Sequence, residues 1–572
     1  MKLPARRVKR FIRHAMLGEP EPFPLPPTYT QYRNPDWKSI IQRTPREWGR
    51  ALKRARRGKR VLVATSMGNY TPGAIFESAL AVALTLRGAA VDVLLCDQLL
   101  PACQMALVTE FASEQEFVQN GPQIHCKTCF PHGNAVYRSL GFTPYYYSQL
   151  VSAEERARAE EIASKLPRQE IEHFVLDGVA VGEHAQAGAL RFYARGELEQ
   201  GACPEAVLRR YLQASLQTTF VMERLVRQRQ YASALFHHGI YVPQGLIGEV
   251  ARKHGVRVVN WAPGYRKRRF ILTHGETYHH ALMSEPTANW ENIAWSDALE
   301  QDALNYLKSR WYGTRDWIWF HEKPEEEISK IAALLGIDFS KPTIGMLTNV
   351  MWDAQLHYRA NAFPNMLEWV VETLRYFARR PDLQLLIRIH PAEIRSGVPS
   401  RQPILQEIKN IFPELPGNIF IIPPESPVST YAAMLQCDSV LIYGTKTGVE
   451  LTSMGIPVIV AGEAWIRNKG ITLDARSRQD YLELLERLPL GERLSDAQRT
   501  RALQYAYHFF FRRMIPLPMF EPVQGWPYYQ LKVETIHDLA PGADAALDLV
   551  CDGILNGAEF VYPAERYPAA LE

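Results

Sequence analysis

The sequence predicts an α/β protein built as two Rossmann-like lobes facing a cleft, with an N-terminal extension. Three observations predict it. At 572 residues the chain is too long for one hydrophobic core. Short apolar runs alternate with helical patterns in two separate stretches, one opening near residue 58 and the other near 341. In the second stretch those runs are apolar on both faces, as strands of a parallel sheet covered by helices must be.

Residues 1–57 read as the extension. Residues 1–13 hold six Lys or Arg and no acid, and residues 50–60 hold seven. Such runs form solvated tails and basic helix faces, or they meet an anionic membrane surface. No recognition motif for nucleic acid accompanies them, so no nucleic-acid partner is expected. Residues 14–45, rich in Pro, Tyr and Trp, read as an extended arm packed by its aromatics.

Residues 58–335 read as the first lobe. Val61–Ala64 is a strand, Ser66, Gly68 and Asn69 form a small-residue turn, and a helix from about Pro72 to Arg87 stops at Gly88. The turn opens a βαβ unit but lacks the GxGxxG fingerprint of a dinucleotide site. A long helix covers about 204–229. The run SALFHHG then ends a strand at His237, His238 and Gly239, and VRVVNWAP is the next strand. Residues 264–320, dense in aromatics, read as site loops and helices near the lobe junction.

Residues 336–500 read as the second lobe, with strands TIGMLTN, LQLLIRIH, NIFIIPP, DSVLIYG and IPVIVAG. Residues 501–572 open with a long aromatic helix expected to pack back across the lobes. The net charge of +4 neither demands nor excludes a polyanionic partner. No apolar run approaches the roughly 18 to 20 residues of a spanning helix, and the start lacks an apolar signal core. Seven cysteines in a chain this long suit a reducing compartment. A cytoplasmic protein, with peripheral contact to the inner membrane as an option, is expected.

Two second-lobe loops carry the chemistry, because ligands of parallel sheets bind beyond the carboxyl ends of the strands. One is Arg388-Ile389-His390-Pro391-Ala392-Glu393, whose histidine can donate to a phosphate and whose Glu393 can accept from a ribose hydroxyl. The other is Tyr443-Gly444-Thr445-Lys446-Thr447-Gly448-Val449-Glu450. Here a strand ends in a glycine turn, and hydroxyls and backbone N–H groups at a helix start suit an anion. Gly448 would let a ligand approach the backbone, and Glu450 would bind a hydroxyl or cap the helix. Together the two loops suit the phosphates of a nucleotide-activated sugar.

The stretch from about 340 to 475 resembles capsule polysaccharide biosynthesis proteins, including the Kdo transferases of capsule and lipopolysaccharide systems. The resemblance rests on His390-Pro391, the glycine and hydroxyl turn, Gly455–Ile459 (GIPVI) and Thr348–Asp353 (TNVMWD). It implies a GT-B-like glycosyltransferase with the donor, a CMP-sugar such as CMP-Kdo or another nucleotide-sugar, on the second lobe. An oligosaccharide or lipid-linked glycan acceptor would sit on the first. It implies that His390 contacts the donor phosphate and that no catalytic divalent metal is needed. Candidate proton acceptors are His237, His274, Glu276 and Asp177. A nucleotide-sugar epimerase of the same architecture and a non-catalytic glycan-binding component are the alternative readings. Cys96, Cys103, Cys126 and Cys129 lie within 34 residues and would suit a structural zinc, or an iron–sulfur cluster, or else are small apolar residues.

Overall fold

The computed structural model describes residues 35–317 and 323–567; the basic run 1–13 lies outside them. The first sheet holds seven strands. They are β1 (Arg60–Ser66), β2 (Ala90–Leu95), β3 (Tyr145–Tyr146), β4 (Ser233–His237), β5 (Arg257–Pro263), β6 (Arg269–His274) and, from far along the chain, β13 (Ile515–Pro516). Their order is β13-β6-β5-β4-β1-β2-β3. Strands β1 to β5 are parallel to one another, whereas β6 runs antiparallel to β5.

The second sheet holds β7 (Thr343–Leu347), β8 (Gln384–Arg388), β9 (Ile419–Ile422), β10 (Ser439–Ile442), β11 (Val458–Val460) and β12 (Leu473–Asp474), in the order β12-β11-β10-β7-β8-β9. All its pairings are parallel. Each central strand is buried along its length. This follows from β-branched and aliphatic side chains pointing alternately into the two helix layers. The protein is therefore an α/β molecule of two Rossmann-like lobes.

The helix Thr71–Leu86 shows how the extension contributes. It is apolar nearly all round and buried from Pro72 to Thr85, which one sheet face alone cannot explain. Its outer side is covered by the helix Pro45–Ala55, by Trp37, whose indole N–H donates to Ser78 Oγ at 3.0 Å, and by Tyr529, whose hydroxyl donates to the Pro72 carbonyl at 2.7 Å.

The lobes are joined by the chain crossing back. The helix Asp496–Tyr507 packs on the second-lobe helix Thr447–Ser453. A π-turn at His508–Arg512 then leads into β13, which extends the first sheet. Further ties are the Arg401 N–H to the Ala194 carbonyl at 2.9 Å and Lys469 Nζ to the Glu285 carbonyl at 2.8 Å.

Candidate active site

The carboxyl ends of β1, β4 and β5 face those of β7, β10 and β11. The Tyr241 hydroxyl, just after β4, donates to Asp353 Oδ1 after β7 at 2.8 Å and accepts the Ala354 N–H at 2.9 Å. Tyr265, after β5, lies 6.1 Å from Trp465 after β11, and Lys446 Nζ sits 4.6 Å over the Tyr265 ring. Two non-glycine residues in the left-handed region lie at this junction: His238 (φ 62°), stacked on Tyr241, and Ala354 (φ 53°). Each costs of order 1–3 kcal/mol, and such strain gathers where a backbone is shaped for function rather than stability.

On the second lobe, His390 follows β8. Its backbone N–H donates to Thr348 Oγ1 at 3.1 Å, and its Nδ1 accepts the Ala392 N–H at 3.0 Å. The neutral ring must therefore carry its proton on Nε2, which makes it a donor. Burial, with Lys446 and Arg388 nearby, pushes its pKa down to about 4. It is neutral at pH 7. Two strands away, the turn 443–447 presents Thr445, Lys446 and Thr447, with the Gly444 N–H donating to Asn349 Oδ1 at 3.4 Å. A β-carbon on Gly444 would lie 2.8 Å from Glu463 Oε1 and 3.0 Å from the Glu463 carbonyl oxygen, so Glu463 packs directly on this turn. Glu463 follows β11. Its Oε2 is buried without a hydrogen-bond partner among the described residues, and burial raises its pKa to about 7, with Asp353 adding to the rise.

On the first lobe, His237 ends β4, buried. Its Nε2 shares a hydrogen bond of 3.0 Å with the Tyr70 hydroxyl, and its Nδ1 has no partner among the described residues. His238 stacks on Tyr241 at 5.3 Å. His279 lies between Tyr278 at 4.3 Å and Trp465 at 5.4 Å. Burial holds His238 and His279 down to about 3 and His237 well below the usual histidine range. Histidines held so low orient hydroxyls well but take up protons poorly at neutral pH.

Several expected site residues are placed elsewhere. Arg388 is 2% exposed, and its guanidinium donates to the carbonyls of Pro423 (2.6 Å) and Ser426 (3.5 Å) and to Thr430 Oγ1 (3.2 Å). It braces the loop after β9. Glu393 is 1% exposed and accepts the Ile404 N–H, capping the helix Ile404–Ile411, and burial raises its pKa to about 7. Glu450 is fully buried. Its Oε1 accepts from Arg310 Nε and Lys446 Nζ, each at 3.0 Å, and its Oε2 from Tyr431, so both oxygens are engaged inside the protein. Gly448 serves close packing rather than ligand approach, because a β-carbon there would meet Ile442 Cδ1 at 2.7 Å.

His274 ends β6, and because β6 is antiparallel its carboxyl end lies at the opposite edge of the sheet. There its Nε2 meets the Ala558 carbonyl at 2.9 Å and its ring stacks on Phe560. Glu276 follows on the exposed surface. Asp177 (φ 49°) and Gly178 (φ 83°) are the two central residues of a hairpin closed by Leu176 and Val179. Asp-Gly is the sequence of a type I′ turn, and Asp177 is exposed.

The cysteines do not assemble as ligands. Among the described residues no three or more His, Cys, Asp or Glu side chains are placed to hold a metal ion, and the thiols are free. Cys126 and Cys129 share the helix Gln123–Ser139, where Cys129 Sγ accepts the Asn69 N–H at 3.4 Å. Burial pushes Cys96 up to about 12 and Cys126 to about 11, so these groups are neutral thiols.

No protein-family model matches the chain, and a search of curated proteins gives no match. Among solved structures, the β-Kdo 2,4-transferase KpsC of Thermosulfurimonas dismutans is similar at 12% identity and a TM-score of 0.31, over 48% of this chain and 79% of that one. The spinosyn rhamnosyltransferase SpnG, complexed with spinosyn aglycone, aligns at 12% identity and a TM-score of 0.24, over 79% of this chain and 96% of that one. The putative UDP-N-acetylglucosamine 2-epimerase from Listeria monocytogenes aligns at 10% identity and a TM-score of 0.23, over 88% and 98%.

Proposed function

We propose that this protein is a glycosyltransferase that moves a sugar from a nucleotide-activated donor to a glycan acceptor, an oligosaccharide or a lipid-linked glycan. One observation carries the reading. Two sets of parallel-strand ends face each other, one bearing His390, the 444–447 turn and Lys446, the other bearing His237, His238 and Tyr241. In this reading His390 Nε2–H and the turn hold the donor phosphate, and the first-lobe histidines orient the acceptor hydroxyl. The acceptor oxygen bonds to the anomeric carbon as the bond from that carbon to the phosphate oxygen breaks. The nucleotide leaves with that electron pair, stabilised by donors already aimed at it. The hydroxyl proton passes to a carboxylate. Glu463, with an unpaired oxygen and a pKa near 7, suits that task better than the low-pKa histidines. The likeness of residues 390–391 and 455–459 to capsule polysaccharide proteins, Kdo transferases among them, makes a CMP-sugar one candidate donor beside UDP- and GDP-sugars.

The paired carboxylates Asp353 and Glu463 also suit an epimerase, which would convert a nucleotide-sugar with no acceptor. One experiment separates the two. Purified protein is mixed with CMP-Kdo or UDP-N-acetylglucosamine, with and without oligosaccharide acceptors, and the sugar is followed by NMR. Free nucleotide with a new glycosidic linkage, dependent on acceptor, is the expected result. A changed sugar still attached to its nucleotide, without acceptor, would establish the epimerase instead. Binding of oligosaccharide with no turnover of either donor would leave a glycan-binding protein.

A further inference from the structure

We infer that the exposed stripe of Arg46, Arg50, Lys53 and Arg57 is a docking surface for an anionic lipid bilayer. The inference does not rest on the transferase reading. The helix Pro45–Ala55 buries Trp48, Ala51 and Ala55 against the first lobe, with the Trp48 indole N–H donating to the Leu140 carbonyl at 3.0 Å. Residues 46, 50 and 53 are spaced by four and three, which places them on one face of this helix, and Arg57 follows four residues on, just past its end. All four are exposed, as is Arg56. Among the described residues none of the five makes an ion pair. Between residues 43 and 60 there are nine Lys or Arg and one acid, Glu47, which pairs with His537 at 3.0 Å.

The charge is not neutralised by the sequence before it. Residues 1–34 hold seven Lys or Arg and two Glu, charge of the same sign. A stripe of four charges from 46 to 57 is roughly 16 Å long at 1.5 Å per residue, and a flat anionic surface meets all of it at once. Its position fits as well. Arg54 donates to the Leu86 carbonyl at 2.7 Å, at the end of the helix Thr71–Leu86. That helix runs back from the carboxyl end of β1, so its last turn marks the amino edge of the sheet. The basic face therefore lies at the edge away from the cleft, and a bilayer held there leaves the cleft open.

The test is co-sedimentation of the full chain with vesicles of phosphatidylcholine alone, or with about a third of the lipid replaced by phosphatidylglycerol. The wild type should sediment with the anionic vesicles only, and raised salt should release it. Each cation near an anionic surface contributes roughly fivefold in binding, so Arg46→Gln, Arg50→Gln, Lys53→Gln and Arg57→Gln together should weaken it by on the order of 100-fold or more. All four side chains are exposed, and an unchanged melting temperature verifies that the variant is folded. The comparison variant carries Arg6→Gln, Arg7→Gln, Lys9→Gln and Arg10→Gln. Binding lost in the comparison variant but kept in the stripe variant would overturn the proposal. So would equal binding to both vesicle types, or tighter stripe-dependent binding to duplex DNA than to anionic vesicles at the same salt.

Discussion

Replacing Glu450 with Gln should cost the fold about 3 kcal/mol or more, and the figure comes from two directions. Glu450 has no exposed side-chain surface, and its partner Arg310 is 5% exposed. Removing one charge from a buried pair leaves the other uncompensated, which typically costs 3–5 kcal/mol. Here two cations, Arg310 and Lys446, lose the same carboxylate. The second route is proton linkage. Arg310 and Lys446 overcome the burial cost and hold Glu450 down to about 2, against an ordinary value of 4.5. A folded-state pKa below the unfolded one contributes stability that is complete above about pH 4.5 and lost as the pH falls toward 2. At roughly 1.4 kcal/mol per unit, the contribution is roughly 3 kcal/mol at neutral pH. Urea unfolding at pH 7, followed by tryptophan fluorescence, measures it through the transition that includes the second lobe. The paired variant Glu450→Gln with Lys446→Met should recover part of the loss, because it removes Lys446, whereas Arg310 keeps its ion pair with Asp316. A loss below about 1 kcal/mol for Glu450→Gln, with no change on adding Lys446→Met, would refute the reasoning that this network holds the 443–447 turn.

Two other perturbations have defined outcomes. Glu393 has its folded pKa raised to about 7 by burial, so it weakens the fold progressively as the pH rises from 4.5 through 7. Glu393→Gln should therefore be more stable than the wild type at pH 8, by up to about 3 kcal/mol, and equal to it near pH 4, in melts at the two pH values. Tyr241→Phe removes the hydroxyl shared by Asp353 and the Ala354 N–H. It should cost about 1–2 kcal/mol and increase hydrogen exchange at 352–356, and an unchanged exchange pattern there would show that this contact does not tie the lobes.

The α/β class was legible because the strands are short apolar runs with turns between them: β4, β8 and β10 lie within the runs that predict them, and β1 contains the predicted Val61–Ala64. What the runs could not show was strand direction. VRVVNWAP and RFILTH look alike, yet the second returns antiparallel and takes His274 away from the facing strand ends. Asp177 was decipherable in hindsight, since Asp-Gly between short apolar segments is a hairpin signal and not a strand end. Charged residues on strands were harder. Arg388 and Glu450 sit beside the site loops in sequence, but which of them turns inward depends on partners such as Pro423 and Arg310, distant along the chain. Tyr70 and Tyr241 carried no motif at all. Their roles arise from His237 and Asp353, residues that only the folded chain brings within 3.0 Å of them.

The proposed function stands on a nucleotide phosphate being held by the second-lobe strand ends. Calorimetric titration with CMP, UDP and GDP, on the wild type and on His390→Ala, tests it most directly. One nucleotide should bind, with Nε2–H of His390 contributing about 1.5–3 kcal/mol as a donor to an anion, so that the variant binds roughly 10- to 100-fold more weakly. Nucleotide binding of equal strength in the wild type and the variant would contradict it.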